Sequence, residues 1–310
     1  MILTVTLNPS LDLTLSIREL KIGKVHRSEK EFLIPGGKGI NISKVLKIFN
    51  EDTFILGFSG GITGTILEKE LKKREIPFEF IKIKENVRFA IGIIEKENTN
   101  SMTIINGIGP KIYNDELLAL KERFRSFISR AKFVVLSGSL PQGIPQSIYR
   151  DLFKMIENPT VIKVLDAKGI EFKIALSQNP HIIKPNQEEA EEFLGFPLKD
   201  EKALIKAGKF FRDMNIKYSI ISLGERGAFL STENEMFIAN LPPIKGYNWG
   251  TGDAFLAGFI LGIKRENDPI YALKLACSTA YIKVKKIELK RDDIPEILEN
   301  IEKVQLKKID

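Results

Sequence analysis

The sequence predicts an α/β protein: a mostly parallel sheet with helices on both faces. Three observations carry that prediction. Short β-rich runs alternate with longer helical patterns along most of the 310 residues, as βαβ units require. Several runs, "TFILGF" and "KFVVLSG" among them, are almost continuously apolar, as strands are when both sheet faces are covered. No repeat, low-complexity tract or linker-like stretch divides the chain, so one domain over residues 1–310 is expected.

Strands are expected at 2–7, 53–58, 132–138, 160–167, 181–186 and 218–224, and helices at 38–49, 65–74, 114–131, 146–156, 187–194, 201–214 and 254–263. Two regions break the alternation. Residues 11–34 and 86–107 read as strands of interleaved polar and apolar residues with no helix between them. Within the second, "RFAIGIIEKENTNSMTIIN" reads as a hairpin turning around 97–100. These pieces form either a small sheet that closes a cleft as a lid or a plain extension of the main sheet.

The composition narrows the class. Hydrophobic content of 43% beside 28% charged residues suits a soluble domain with a sizeable core. No run of about 18 apolar residues predicts a membrane helix, and "MILTVTLNPS" reads as a first strand rather than a signal peptide. A single cysteine, Cys277, excludes an internal disulfide and suits a reducing cytoplasm. The net charge of +7 admits nucleic acid, small anionic substrates or plain solvated charge. In stretches such as "LEKELKKREI" lysines alternate with glutamates, the pattern of exposed helix faces. No segment interleaves aromatic and basic residues as a base-stacking surface does. Neither nucleic acid nor membrane is expected as a partner.

In parallel α/β sheets ligands gather at the carboxyl ends of strands, where loops lead into helix N-termini. Five turns in this sequence stand at such places. In "NWGTGDAFLAGF", Gly250 and Gly252 surround Thr251 ahead of Asp253. Small residues there let successive N–H groups converge on an anion at the start of an apolar helix. Asp253 either caps that helix or takes a proton from a hydroxyl attacking a phosphoryl group. An ordinary aspartate has a pKa of about 3.9, and the helix end is expected to favour its ionised form. Such a weak base must take the proton late, as the new O–P bond forms. In "PGGKGINIS", Lys38 stands among Gly36, Gly37 and Gly39 at a helix start. A lysine there opposes the helix dipole, so either an anion compensates it or it lies in an exposed loop. The anion is expected to be a substrate phosphate, with Asn41 bonded to the same ligand.

"LSGSLPQG" follows an apolar strand, and Ser139 offers a hydroxyl to a ligand unless the turn merely leads into a helix. In "KPNQEEAEEFLG", Asn186 and Glu189 have the spacing of a capping box. The alternative sets both near a nucleotide phosphate and its Mg2+. In "SLGERGA", Gly224 and Gly227 flank a charged turn after Ser222: a tight hairpin, or a wall for an adenine nucleotide. Other chemistries lack support. There is no P-loop, no third glycine for a dinucleotide fingerprint, no G-x-S-x-G elbow, and the histidines are only His26 and His181.

These motifs resemble those of the ribokinase (PfkB) family of carbohydrate kinases over nearly the whole chain. The resemblance is closest to the branch that holds 1-phosphofructokinase and tagatose-6-phosphate kinase. "TLNPSLDLTL" is similar to that branch's T-L-N-P-A-x-D, "PGGKGINIS" to G-G-K-G-I-N, "SGSLPQG" to S-G-S-L-P-x-G, "KPNQEEA" to K-P-N-x-x-E, "SLGERGA" to S-L-G-x-x-G-A and "GTGDAFLAGF" to G-A-G-D-x-x-x-A-G. The resemblance implies a ribokinase-like fold with a β lid formed by residues 11–34 and 86–107, often the dimer contact. It implies ATP and Mg2+, and transfer to a hydroxyl of a sugar that already bears a phosphate. The order of expectation is fructose 1-phosphate, tagatose 6-phosphate, then fructose 6-phosphate.

By motif position it implies Asp253 as catalytic base, with Gly250, Thr251 and Gly252 shaping an anion hole. Asp12, Gly37, Lys38, Asn41, Arg88 and Ser139 would hold the sugar and its phosphate. Asn186 and Glu189 would serve Mg–ATP, Glu189 reaching the metal through water, and Ser222, Gly224 and Gly227 would line the nucleotide site. Three departures stand out. Thr251 replaces the usual alanine, Val87 and Ala90 replace polar residues of T-R-x-N, and "INGIGP" replaces a segment closer to N-E-P-G-P. The last two lie on the sugar side and bear on which sugar is used.

Overall fold

The computed structural model describes residues 1–96 and 102–310. The turn expected at 97–100 lies outside the described residues. The strands are β1 (Ile2–Thr6), β2 (Ser10–Ile17), β3 (Lys30–Gly36), β4 (Thr53–Ser59), β5 (Phe78–Lys82), β6 (Arg88–Glu95), β7 (Met102–Asn106), β8 (Phe133–Ser137), β9 (Ile162–Asp166), β10 (Ile182–Ile183), β11 (Tyr218–Ser222), β12 (Ala228–Ser231), β13 (Met236–Asn240) and β14 (Gln305–Lys308). The helices are α1 (Lys38–Ile48), α2 (Gly61–Lys73), α3 (Asn114–Ile128), α4 (Ile148–Lys154), α5 (Gly169–Ala175), α6 (Gln187–Leu194), α7 (Glu201–Asp213), α8 (Thr251–Glu266), α9 (Pro269–Val284) and α10 (Ile294–Asn300).

The apolar runs make the centre of one large sheet in the order β14-β13-β12-β11-β10-β9-β8-β1-β4-β5. From β5 to β11 every pairing is parallel. The remaining edge, β12 to β14, is antiparallel and is not among the expected strands, because its strands are only four or five residues long. Period-2 alternation divides each central strand between two cores. Leu3 and Val5 of β1 and Val134 and Leu136 of β8 join α3, α4 and α7 on one face. Ile2 and, from β8, Phe133 and Val135 join α1, α8 and α9 on the other. The doubly wound architecture expected from the alternation is therefore present. No helix among the described residues is long and apolar enough to cross a membrane.

Strands β2, β3, β6 and β7 build a second, four-stranded sheet in the order β3-β2-β6-β7. Its strand β2 runs parallel to β6 and antiparallel to β3, and β6 pairs antiparallel with β7. The expected hairpin partners are thus paired, and the sheet is separate from the main one. Its alternation is inverted. Asp12, Thr14 and Ser16 are buried, whereas Leu13 and Leu15 are half-buried. Leu33, Phe89 and Ile105, on the same outer face as Leu13 by register, are exposed.

Helix α8 is apolar nearly all round and buried from Asp253 to Ile263, since it lies between the sheet and α9. The approach of the two helices leaves no room for a side chain. A Cβ on Gly262 would stand 2.4 Å from Ala272 Cα, and one on Gly258 2.9 Å from Ala276 Cα. In an exposed helix, alanine would gain about 1 kcal/mol over glycine. Here overpacking, which costs about 1–3 kcal/mol, is expected to outweigh that gain. Gly262→Ala should lower the midpoint of urea unfolding, and a variant as stable as the parent would show that the interhelical contact is looser than described.

Candidate active site

The carboxyl ends of the central parallel strands carry a polar rim that the protein does not satisfy. Thr6 Oγ1 (β1), Ser59 Oγ (β4), Ser137 Oγ (β8) and Asp166 Oδ2 (β9) are buried without hydrogen-bond partners, as are Asn8 Oδ1 after β1, Arg88 Nε at the start of β6 and Ser219 Oγ within β11. Most buried polar atoms in a folded protein are paired. Four of these seven side-chain atoms among the described residues sit on one edge of the sheet, at the carboxyl ends of the neighbouring strands β4, β1, β8 and β9. That edge is the one where the sequence placed its unusual turns.

Asp253 lies in the first turn of α8, which begins three residues earlier than the expected start at 254. Gly250 is the N-cap, with φ of 76°, a conformation that glycine adopts without steric penalty. The capping alternative for Asp253 fails. Its carboxylate accepts no bond from the helix amides. Instead Asp253 Oδ2 accepts from Asn41 Nδ2 at 2.8 Å, and Oδ1 has no protein donor among the described residues. The first amides of a helix lack intrahelical acceptors. Here those of Gly250, Gly252 and Asp253 have no acceptor among the described residues, and Thr251 N–H makes only a 3.4 Å contact with Asn248 O. The β-branch of Thr251, a departure from the family pattern, is accommodated because its hydroxyl donates to the same carbonyl at 2.9 Å. The expected dominance of the helix end over the Asp253 charge is corrected. Burial pushes its pKa up, with help from Asp166, against the opposing pull of Lys38, Asn41 and Lys184.

The sequence reading missed Asp166 and Lys184. Lys38 Nζ bonds Asp166 Oδ1 at 2.8 Å, and Lys184 Nζ lies 3.5 Å from Asp166 Oδ2. Asp166 is fully buried. Burial alone would raise its pKa, but Lys184 and Lys38 hold it below the usual carboxylate range. The anion required to compensate a lysine at a helix start is thus supplied by the protein, where the sequence reading looked only to a substrate. For Lys38, burial works against the charge, but Asp166 and then Asp253 outweigh it and raise its pKa. Lys184 also reaches the turn ahead of Asp253: a Cβ on Gly252 would lie 3.4 Å from its Nζ. The signal for both residues was available. Asp166 ends the apolar run "TVIKVLDA" and Lys184 opens "KPNQ", each at a strand's carboxyl end.

Asp12 faces inward from the small sheet and accepts from Ser10 Oγ at 2.5 Å. Burial raises its pKa. Its carboxylate occupies the place of a side chain on Gly36, whose Cβ would fall 2.1 Å from either oxygen. Gly37 (φ 112°) is the N-cap of α1. Arg88 stands opposite Ser10 in the β2–β6 register and donates to Asn106 Oδ1 at 3.2 Å. Ser139 accepts from Asn8 Nδ2 at 3.1 Å. The departures at Val87 and Ala90 have local reasons. Val87 is buried in a small core with Ile40 and Leu67, and Ala90 pairs with Asp12 on the inner face.

On the other side of Asp253, Asn186 and Glu189 form the capping box of α6: Asn186 Oδ1 accepts from Glu189 N, and Glu189 Oε2 from Asn186 N, at 2.8 and 2.9 Å. Ser222, Gly224 and Gly227 make the tight hairpin between β11 and β12, as the simpler reading had it. Gly224 is exposed and Gly227 half-buried. The structural alternatives at these two turns are therefore realised. They leave Glu189 Oε1 outside the capping box and near enough for Glu189 to act on the charge of Lys38.

The family model described as pfkB family carbohydrate kinase matches residues 6–296. The chain is 33% identical over 267 residues to 1-phosphofructokinase of Bacillus subtilis, covering 86% of each chain. It is 30% identical over 315 residues to tagatose-6-phosphate kinase of Staphylococcus epidermidis, covering 99% of this chain and 100% of that one. Among solved structures it matches a possible 1-phosphofructokinase of Thermotoga maritima with a TM-score of 0.89 at 24% identity, covering 100% of both chains. It matches phosphofructokinase-2 of Escherichia coli in complex with fructose-6-phosphate with a TM-score of 0.88 at 22% identity, covering 97% and 99%. The solved structures share the fold, and the family model and the sequence relatives carry the membership: this chain belongs to the pfkB family of carbohydrate kinases.

Proposed function

We propose that this carbohydrate kinase transfers the terminal phosphoryl group of ATP to a hydroxyl of a phosphorylated ketohexose, fructose 1-phosphate first, with tagatose 6-phosphate and fructose 6-phosphate as alternatives. The observation that carries the reading is a buried carboxylate, Asp253, set among helix-start amides that the protein leaves unbonded. The relatives named 1-phosphofructokinase and tagatose-6-phosphate kinase support the substrate class.

In this reading Asp253 Oδ1 accepts the proton of the attacking hydroxyl while Asn41 holds Oδ2. The new sugar O–P bond forms as the bond between the terminal phosphorus and the bridging oxygen breaks, and ADP leaves with that electron pair. A pKa raised by burial makes Asp253 a better acceptor than an exposed aspartate, though the proton still moves late. The amides of Gly250, Gly252 and Asp253 and the ammonium of Lys184 stabilise charge on the transferring group. Lys38 keeps N–H donors beyond its bond to Asp166, which we assign to the sugar's phosphate, with Arg88 and Ser139. Asp12 binds sugar hydroxyls, and Asn41 and Gly37 shape the same pocket.

Asn186, Ser222, Gly224 and Gly227 border the nucleotide. Mg2+ binds few protein oxygens and retains waters, so a site fits here even though no group of three or more His, Cys, Asp or Glu among the described residues could hold a metal. Asp166 Oδ2, which lies 3.5 Å from Lys184 Nζ, and, through water, Glu189 would hold it, and it would neutralise phosphate charge. The small sheet serves as a lid, with Asp12 on its inner face. Its apolar outer face, with Leu33, Phe89 and Ile105 exposed, supports a homodimer through that sheet.

Four outcomes test this reading. In a coupled ADP-release assay over phosphorylated ketohexoses, fructose 1-phosphate should give the highest kcat/KM, and a preference for unphosphorylated hexoses would sink the substrate class. Asp253→Asn should lose on the order of 10²–10⁴ in kcat. The folded-state pKa of Asp253 is raised, so its charge disfavours folding above that pKa and the penalty vanishes below the unfolded value. The Tm of Asp253→Asn at pH 7 should accordingly be no lower than that of the parent. Activity within tenfold of the parent removes Asp253 from the base role. Lys38→Ala should chiefly raise KM for the sugar phosphate; a rise confined to ATP would exchange the two assignments.

A further inference from the structure

Lys283, next to last in α9, is a buried cation that the mechanism above leaves unused. Its side chain is 8% exposed. Its Nζ donates to Trp249 O at 2.8 Å and to Lys286 O at 3.0 Å. Both acceptors are neutral carbonyls, and no carboxylate forms an ion pair with it among the described residues. Burying an ammonium without a counter-ion is costly, and an apolar side chain would fill the same space. The position of the charge gives it a purpose. Trp249 O belongs to the peptide unit whose nitrogen is Gly250 N, one of the unbonded amides of the turn. A cation on the carbonyl end of an amide polarises it and strengthens its N–H as a donor.

The bond has a second effect. In a helix extended backward by one turn, Trp249 O would accept from Asp253 N–H, four residues on. Lys283 occupies that carbonyl instead, and Gly250 turns the backbone left-handed. Asp253 N–H is thereby kept out of the helix ladder. The same strand of chain is tied to α9 once more, by Tyr247 N–H to Val284 O at 2.7 Å. Lys283 Cε lies 3.7 Å from the position of a Gly250 Cβ, so the charge sits directly behind the turn.

We propose that Lys283 is a positioning residue for phosphoryl transfer: through Trp249 O it fixes the anion-binding turn and strengthens the Gly250 amide. The proposal rests on the kinase reading, and its test separates the two. Trp249 is the single tryptophan, and its ring stands 2.6 Å from where a Cβ on Gly92 of the small sheet would be. Its emission therefore reports the turn without any catalysis.

Lys283→Met should shift the Trp249 emission maximum in the absence of substrate. It should lower kcat by about 10- to 100-fold, the scale of a small misplacement in a site, with KM for ATP and sugar phosphate within about threefold of the parent. Ammonium chloride should restore part of kcat, and tetramethylammonium chloride at equal ionic strength should not. Burial, followed by Lys44, lowers the Lys283 pKa to about 8 against Asp253 and Glu288. The parent's kcat should therefore fall as pH rises through about 8, a limb that Lys283→Met should lack. If Lys283→Met does not fold, Lys283→Gln, which keeps a donor on the stem, carries the same comparison. Activity within twofold of the parent, a loss confined to KM, or unchanged emission overturns the proposal. Failure of the parent on every sugar phosphate instead removes the kinase reading and leaves the emission result standing.

Discussion

A carboxylate removed from water at the head of an apolar helix is the constraint around which this protein is arranged. Asp253 is buried beside a second buried carboxylate, Asp166, whose charge also raises its pKa. Two adjacent acids in a dry site repel each other unless cations divide them. Lys38 and Lys184 do so, both drawn to Asp166, and Asn41 steadies one oxygen of Asp253. The result leaves one acid firmly ionised and the other pushed toward its neutral form. Environments that drive the pKa values of neighbouring acids apart are how a site assigns different work to the same functional group.

The turns that surround these acids are held from behind by main-chain carbonyls on two lysines, Lys44 half-buried and Lys283 buried. Lys44 Nζ donates to Pro35 O at 2.9 Å, ahead of Gly36 and Gly37, and lies 3.7 Å from Glu288, which Arg74 also binds. Lys283 does the same for Trp249 O. Glycine-rich turns have high conformational entropy in the unfolded chain. Such turns hold a defined shape only if their carbonyls are tied, and here the ties leave the amide side open. Burial lowers the pKa of both lysines, the expected sign for ammonium groups solvated by the protein alone.

The small sheet is built inside out for a free-standing sheet. Asp12 and Thr14 line the cavity beneath it together with Ile34, Ile94 and Met102, while Trp249 and Gly250 close the other side. Polar residues are covered because the sheet lies over the cleft. Its apolar residues remain half-exposed because nothing among the described residues packs on them. This inversion is the feature on which the proposed lid and homodimer contact rest.

The sequence by itself determined the architecture, because strand and helix periods are local properties. Six of the parallel strands and helices α1 to α4, α6, α7 and α8 were legible within a few residues. The antiparallel edge and α9 were not: short strands carry little periodicity, and α9 is apolar on nearly every side, which leaves no amphipathic stripe to read. The motif residues Asp253, Lys38 and Asn41 were likewise visible, since glycines in turns after strands mark places where backbone must approach a ligand, and Asp12 only through the family resemblance. Charge balance was decided only by tertiary structure. Whether Asp253 caps its helix or bonds Asn41, and which anion compensates Lys38, depends on residues more than a hundred positions apart. Electrostatic energy at such sites follows distance and burial in space, and neither is encoded in the spacing of residues along the chain.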